Sequence, residues 1–498
     1  MDGVPVEVEA AKGGGLPRTL LVGLPDKALS EAKDRVKAAV AAEGLPYPPQ
    51  LVTINLSPAS LPKMGSHYDV AIAVAAMAAE GGVRPGLLSR TVLLGELSLD
   101  GRVRRVRGVL PALLAAARAG FDHAIVPTGQ QDEASLVPGL TVWAAGRLQE
   151  VALILNGKPV DNPTESADPS WLPAEDRADG HADLSDVIGH ADGRFALEVA
   201  ASGRHHLFLH GAPGVGKTML ASRLPSILPD LTLDESVEVS AVHSLAGRRL
   251  DGLVTRPPFA DPHHTVTPVA LVGGGSGELR PGEISLAHRG VLFLDEAPDF
   301  GPKLDALRTP LEGGWITVNR ARASARFPAR FLLVLAANPC PCGMHGVAGA
   351  ECRCDAVKVR RYQDRLSGPI MDRIDLRHHM TGVNRVLADL GESAPEPSST
   401  VLQRVLEARD RQARRLRGTP WSTNGEIPGP YLRRHLPLPQ DLGALNNALE
   451  RGRLSMRGVD KVLKVAWTLT DMSGRDVPGG REVRAALQLR LGSARSAA

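Results

Sequence analysis

The stretch His210-Gly211-Ala212-Pro213-Gly214-Val215-Gly216-Lys217-Thr218 constrains this chain more than any other. The apolar run His206-Leu207-Phe208-Leu209 before it reads as a buried parallel strand, and Met219-Leu220-Ala221-Ser222-Arg223-Leu224 after it reads as a helix start. A G-x-x-x-x-G-K-T pattern between a strand and a helix is a phosphate-binding loop. Its glycines let successive backbone N–H groups point inward at phosphate oxygens, and the helix N-terminus adds partial positive charge. Gly211, Ala212, Pro213, Gly214, Val215, Gly216, Lys217 and Thr218 are thus the expected cradle for ATP. Lys217 is expected to reach the β- and γ-phosphates, and Thr218 to hold Mg²⁺.

A second stretch, Val291-Leu292-Phe293-Leu294-Asp295-Glu296, is four apolar residues ending in two carboxylates. Such a run reads as a buried parallel strand whose C-terminal end lies beside the phosphate loop. Asp295 is expected to complete the Mg²⁺ shell, and Glu296 to polarise the attacking water. Phe331-Leu332-Leu333-Val334-Leu335-Ala336-Ala337-Asn338 reads as another buried strand, with Asn338 placed to orient that water.

The length of 498 residues suggests two to four domains. With 58 basic and 55 acidic residues the net charge is only +3, so affinity for nucleic acid must come from local patches. Aromatic content of 3% argues against recognition by many stacking platforms. Four cysteines do not make a disulfide framework at this length. The longest apolar run, Val70 to Ala79, is too short to span a bilayer, and no signal peptide opens the chain. A soluble cytoplasmic protein without a membrane partner is expected.

Residues 1–155 read as an α/β unit. Strands are expected at Thr19–Gly23, Leu51–Leu56 and Ala124–Pro127, and helices at Lys27–Ala42, Asp69–Ala79 and Leu110–Ala119. Val92–Leu99 and Gly101–Val103 read as a hairpin turning at Asp100-Gly101. The run Gly95-Glu96-Leu97-Ser98-Leu99-Asp100-Gly101-Arg102-Val103, followed by an Ala-rich helix, resembles the proteolytic domain of Lon proteases. That family uses a Ser–Lys dyad. Here Ala112 stands at the lysine position, and Ser66, in Lys63-Met64-Gly65-Ser66-His67, falls one position early. Without a base a serine is a poor nucleophile, so the resemblance implies a Lon-like fold without proteolysis. The cluster Arg102, Arg104, Arg105 and Arg107 reads either as a face for DNA or a partner, or as a solvated strand edge.

Residues 156–182 are rich in Pro, Asp and Glu without apolar periodicity and read as a linker. The next unit, 183–390, opens on Asp183-Leu184-Ser185-Asp186-Val187-Ile188-Gly189, with a first helix at Phe195–Ala201. Between the phosphate loop and Asp295 the chain is long and Gly-rich. His263 and His264 are adjacent there and diverge in regular structure, which makes a poor chelating pair. Leu311–Arg320 reads as a hairpin, with Arg320, Arg322 and Arg326 close behind. Cys340, Cys342, Cys352 and Cys354, spaced C-x-C-x₉-C-x-C, read as a structural Zn²⁺ site or as four reduced thiols. Residues 391–498 read as a loop and then an α-helical lid. Its first helix, Val401–Arg417, carries six arginines that suit either a solvated face or DNA.

These pieces together resemble the ComM/YifB family, within the magnesium-chelatase-like branch of the AAA+ ATPases. The resemblance is carried by Pro262-His263-His264-Thr265, Gly282-Glu283-Ile284-Ser285-Leu286-Ala287-His288 and Asn338-Pro339-Cys340-Pro341-Cys342-Gly343. Ser367-Gly368-Pro369-Ile370-Met371-Asp372-Arg373-Ile374-Asp375-Leu376 and Leu454-Ser455-Met456-Arg457-Gly458 complete it. Relatives usually carry one more strand before the segment matching Asp2-Gly3-Val4-Pro5, so the resemblance implies a start short of theirs. The resemblance implies a hexameric ring, a helix-2 insert and a hairpin near Trp315 that project to its pore, and Asn338 as sensor 1. It also implies Arg373 as an arginine finger reaching the neighbouring subunit's γ-phosphate and Arg457 as sensor 2 on the lid. The expected activity is that of an ATP-driven DNA helicase or branch-migration translocase, working with recombination proteins or in natural transformation. An ATPase that remodels a protein, as a chelatase or a chaperone does, is the alternative.

Overall fold

The computed structural model describes residues 3–61, 63–164, 182–275, 279–320, 324–347, 349–382 and 395–492. Its centre is a five-stranded, all-parallel sheet in the order Phe259–Ala260, Val291–Leu294, Leu332–Ala337, Leu207–Gly211, Leu376–Met380. Val291–Leu294 and Leu332–Ala337 are buried at every position, as central strands covered on both faces must be. Leu209, Phe293 and Val334 pack on one face, with the helix Ala191–Gly203 and the lid; Leu292, Leu294 and Leu335 pack on the other, with Phe300 and Ile316. The register pairs Leu294 with Leu335 and Ala337 with His210. That alignment brings Asp295, Asn338 and Gly211 to one edge of the sheet, where open α/β sheets bind ligands.

The lid consists of Ser398–Arg415, Gly429–His435, Gly443–Glu450, Met456–Met472 and Gly480–Leu491 together with short turns. It has no separate core: Val405, Val462 and Trp467 share one apolar cluster with Leu197 and Leu209 of the ATPase unit. Four of the six arginines of its first helix, Arg404, Arg409, Arg411 and Arg415, bond inward and so form neither a solvated face nor a DNA face. Arg404 makes a two-point bond to Glu198, Arg409 donates to the Ala201 carbonyl, and Arg415 grips Asp471 at 2.5 and 2.7 Å. Only Arg414 and Arg417 of the six point to solvent.

The N-terminal unit holds a mixed sheet ordered Glu7–Gly13, Leu51–Ser57, Arg18–Val22 and a parallel sheet ordered Thr91–Leu93, His123–Pro127, Thr141–Ala145. Lys27–Ala42 and Asp69–Ala79 supply much of its core. The strand Glu7–Gly13 escaped the sequence reading, although Val6, Val8 and Ala10 alternate toward the core. The expected hairpin strand Val92–Leu99 is two strands: Thr91–Leu93 joins the parallel sheet, and Glu96–Leu97 alone pairs with Val103–Arg104. The break is at Gly95, with φ of +155°, where a Cβ would meet Val103 and Val70 at 2.7 and 2.8 Å.

Helix Val109–Arg118 docks on Leu233–Ala246 of the ATPase unit. There the buried Glu133 carboxylate accepts from the Leu110 N–H at 3.1 Å and the Ser244 hydroxyl at 2.5 Å. The Arg102–Arg107 cluster does not form one basic face. Arg102 bonds Asp100, Arg105 lies against Gly129, Arg107 packs at Gly247, and Arg104 alone is exposed. The helix expected at 195–201 runs over Ala191–Gly203. The hairpin expected at 311–320 is instead Trp315–Asn319 paired with Ser324–Pro328, because Gly314, at φ of +70°, ends the helix Arg308–Gly313. Arg326 therefore lies within the second strand, while Arg322 and residues 165–181 of the expected linker lie outside the described residues. No helix among the described residues is long and apolar enough to cross a membrane.

Candidate active site

The strand Leu207–Gly211 delivers the chain into the loop at a point where only glycine fits. A Cβ on Gly211 would come within 2.5 Å of the Met380 carbonyl on the neighbouring strand. Gly214 and Gly216 take φ of +74° and +89°, so the loop curls before the helix Lys217–Ala221 begins. That helix is shorter than the sequence suggests and gives way to a 3₁₀ turn at Leu224–Ile227.

Lys217 is 7% exposed, and its ammonium is fully engaged. It donates to the Gly211 and Ala212 carbonyls at 2.8 and 2.9 Å and to Asn338 Oδ1 at 2.8 Å. Burial lowers its pKa, and Asp295 and Glu296 oppose that shift. Thr218 donates its hydroxyl to Asp295 Oδ2 at 2.6 Å. Four residues separated by up to 121 positions thus meet at one sheet edge. A hydroxyl beside a carboxylate suits Mg²⁺, a hard cation that takes oxygen ligands and keeps much of its own water.

Glu296 sits in the left-handed region at φ of +49°, with a carboxylate oxygen 3.2 Å from Nδ1 of His264. The sequence marks His264 only as a poor chelator. Here it follows the edge strand Phe259–Ala260, parallel neighbour of Val291–Leu294, and lies against the Glu296 carboxylate. The adjacent His263 bonds Thr265 at 2.8 Å and keeps its ring 4.1 Å, centre to centre, from that of His264. The pairing of Asp261-Pro262-His263-His264 with a strand ending in Asp-Glu is a signal the sequence did contain.

The two arginines do not join this cluster within one chain. Arg373 donates to the Pro369 carbonyl at 2.6 Å and to Glu312 at 2.5 Å, in front of the Trp315–Pro328 hairpin. Arg457, in the first turn of Met456–Met472, is exposed. Four residues further along that helix, Lys461 donates to the Arg373 carbonyl at 3.1 Å and pairs with Asp375 at 2.8 Å. The lid helix is thereby fastened to the arginine segment.

Two residues after Asn338 the cysteines converge. The Sγ separations are 3.3 Å for Cys340–Cys342, 3.7 Å for Cys340–Cys352 and 3.6 Å for Cys342–Cys352, with Cys354 inside the same 4.8 Å group. Four thiolates at about 2.3 Å from a tetrahedral Zn²⁺ stand about 3.8 Å apart, so the set fits that ion closely. Backbone N–H groups of Met344 and Arg353 lower the Cys342 thiol to about 6, while desolvation and the neighbouring thiols raise Cys352 to about 11 and raise Cys354, as expected where four thiols crowd together without a cation. Gly343 allows the knuckle to rest on the phosphate loop, since a Cβ there would meet Pro213 at 2.3 Å.

In the N-terminal unit Ser66 donates its hydroxyl to Glu96, and the buried Lys63 ammonium is spent on the Pro58 carbonyl. No described lysine is bonded to Ser66, and Ala112 lies on the helix Val109–Arg118.

Three family models match in series. Residues 6–130 match "Subunit ChlI of Mg-chelatase", 183–386 match "Magnesium chelatase, subunit ChlI", and 395–490 match its C-terminal part. An uncharacterized protein of Mycobacterium tuberculosis is 50% identical over 99% of this chain and 97% of its own length. The uncharacterized protein YifB of Escherichia coli is 40% identical, over 98% and 94%. Competence protein ComM of Haemophilus influenzae is 39% identical, over 94% and 91%. A match that runs nearly end to end, through the N-terminal unit, the ATPase sheet and the lid alike, makes this chain a member of the ComM/YifB family of magnesium-chelatase-like AAA+ proteins.

Proposed function

We propose that the chain is a Mg²⁺-dependent ATPase that works as a hexameric DNA motor, a helicase or branch-migration translocase, in homologous recombination or natural transformation. The observation that carries this reading is the convergence of Lys217, Thr218, Asp295 and Asn338 within hydrogen-bond reach, in a chain aligned over 94% of its length with a competence protein. The proposed organisation is a proteolytically silent Lon-like domain at 1–155, a linker at 156–182, the ATPase core at 183–390 and the lid at 391–498.

In the proposed cycle Lys217 exchanges its carbonyl partners for phosphate oxygens. Thr218 and Asp295 would hold Mg²⁺, which would supply charge neutralisation at the phosphates. Glu296, steadied by His264, accepts a proton from the attacking water, and Asn338 orients that water. Arg373, whose bonds within its own chain go to Pro369 and Glu312, acts on the next protomer's nucleotide, and Arg457 reaches in from the lid. Assembly then requires Glu312 to release Arg373. Arg320 at the hairpin tip contacts DNA phosphates in the pore. Cys340, Cys342, Cys352 and Cys354 hold structural Zn²⁺; metal analysis of purified protein should return one zinc per chain, lost in Cys340→Ser with Cys352→Ser.

Steady-state ATP hydrolysis with and without single-stranded and forked DNA, beside Glu296→Gln, tests the reading. Stimulation by DNA that falls steeply with salt and vanishes in the variant supports a DNA motor. A rate indifferent to every DNA leaves the ATPase and removes the motor. The magnesium-chelatase descriptions of all three matching models favour a protein remodeller as the second reading. That reading predicts stimulation by a protein client instead.

A further inference from the structure

Where the N-terminal unit meets the base of the Trp315–Pro328 hairpin there is a cleft of about 220 Å³, distinct from the phosphate loop. One wall is Leu114 and Arg118 from the last turn of Val109–Arg118; the other is Trp315, Arg326 and Arg330. The hairpin has two faces. Ile316, Val318 and Phe327 are buried in the ATPase core, while Trp315, Thr317 and Arg326 face outward. A tryptophan on the outer face of a two-stranded ribbon is unusual, and this one is 36% exposed. The Arg326 guanidinium lies 4.1 Å from its ring centre.

The charge of the cleft is not internally balanced. Its carboxylate, Glu238, is already taken by Arg289 at 3.0 Å and His288 at 3.2 Å. Arg118, Arg326 and Arg330 are exposed, and no acidic partner for any of them occurs among the described residues. Gly314 lets Arg330 lie across the hairpin base, because a Cβ there would sit 2.9 Å from the Arg330 side chain. Three unneutralised guanidinium groups around an exposed indole provide phosphate contacts and a stacking surface together. Cations alone would suit any polyanion, whereas the indole adds a flat apolar face that a base can cover. The space is below that of sites that enclose a whole drug-sized ligand, so it suits one nucleotide of a longer strand.

We propose that this cleft is a second nucleic-acid site, taking one base of single-stranded DNA on Trp315 and its flanking phosphates on Arg118, Arg326 and Arg330. The N-terminal unit then contributes directly to strand binding through Arg118, and the strand passes beside the hairpin base as well as its tip. The proposal rests on the DNA-motor reading and extends it to a new surface.

Fluorescence anisotropy of labelled oligo(dT) with the full chain tests it, with unfolding midpoints taken to show that each variant is folded. Trp315→Ala should weaken oligo(dT) binding about tenfold, the scale of one lost base–aromatic stack, and leave binding of inorganic polyphosphate unchanged. Arg118→Glu, on the other domain, should weaken both. Unchanged oligo(dT) binding in both variants, with Arg320→Ala still impaired, would overturn the cleft while keeping the motor. Poly-glutamate binding with the same dependence on Trp315 would overturn it in favour of an acidic peptide. Failure of the unaltered chain to bind any DNA would remove the motor reading and the cleft together.

Discussion

Two α/β units of this chain each carry a set of side chains of catalytic type, and they differ in what those side chains face. At the phosphate loop, Lys217, Thr218, Asp295 and Asn338 bond to one another, and His264 holds Glu296. Every group there is one that a nucleotide and its metal can take over. In the N-terminal unit the equivalent groups are closed off: Ser66 is tied to Glu96, Lys63 to Pro58, and Asp69 makes a two-point bond to Arg35 at 2.9 and 3.0 Å. The scaffold there is intact, with Val36, Ile54 and Ile72 fully buried. Scaffold and chemistry are separable, because the core is held by apolar area while the chemistry depends on a few polar contacts.

The difference is widest at Lys217. Lys217→Ala should lower turnover by about a thousandfold, the scale for removing a preorganised charge from a transition state. Nucleotide affinity measured by calorimetry should fall with it. Retained tight binding would mean that the loop's backbone alone holds the phosphates.

His264→Ala should act through Glu296 and not through the nucleotide. The expected result is a loss of about tenfold in kcat, within what a general base contributes, with KM nearly unchanged. His264→Gln, which keeps a hydrogen-bond donor, should recover part of the rate. A change confined to KM would place His264 against the nucleotide instead.

Acid should separate the two units. Burial lowers His205 to about 4, His206 to about 3 and His243 to about 4, all in the ATPase unit. Below about pH 6.5 the unfolded chain takes up protons at these positions and the folded chain does not. The unfolded state binds more protons, so stability falls as pH drops from about 6.5 toward 4, by up to about 1.4 kcal/mol per pH unit for each histidine. In the N-terminal unit burial instead raises Asp69 and Glu133. Their folded forms bind protons more readily than the unfolded chain, so these two carboxyls gain stability as pH falls toward the ordinary carboxylate range. Hydrogen exchange at pH 5 and pH 7 should show the sheet around Leu207–Gly211 opening first at the lower pH. Equal loosening of both units would contradict that order.

The smallest expected effect is the most diagnostic for the N-terminal unit. Ser66→Ala should change neither ATP turnover nor any casein cleavage measured with the purified protein. Detectable proteolysis that disappears in the variant would reinstate Ser66 as a nucleophile.

The phosphate loop, the paired Asp295-Glu296 and the cysteine spacing were legible because each is contiguous or nearly so, and each carries its own local signal. The arginines of Ser398–Arg415 were less legible. Their density suggested a surface, yet Glu198, Ala201 and Asp471 claim them from elsewhere in the chain. Glu7–Gly13 was missed because an edge strand with mostly exposed residues shows only weak alternation. The hairpin was displaced by one element because a glycine-ended helix and a strand follow each other there without a polar gap.

The sequence by itself determined which residues can cradle a phosphate, which carboxylates end the next strand, and that four thiols come in two close pairs. These features depend on spacings of a few residues, where backbone geometry fixes who can face whom. Only the tertiary structure decided that His264 holds Glu296, that Glu312 occupies Arg373, that the cysteine knuckle rests on Pro213, and that Arg118 faces Trp315 across two units. Those partners are tens to hundreds of residues apart. Strand order and domain docking bring them together, and both are set by the burial of apolar surface over the whole chain, not by any local pattern.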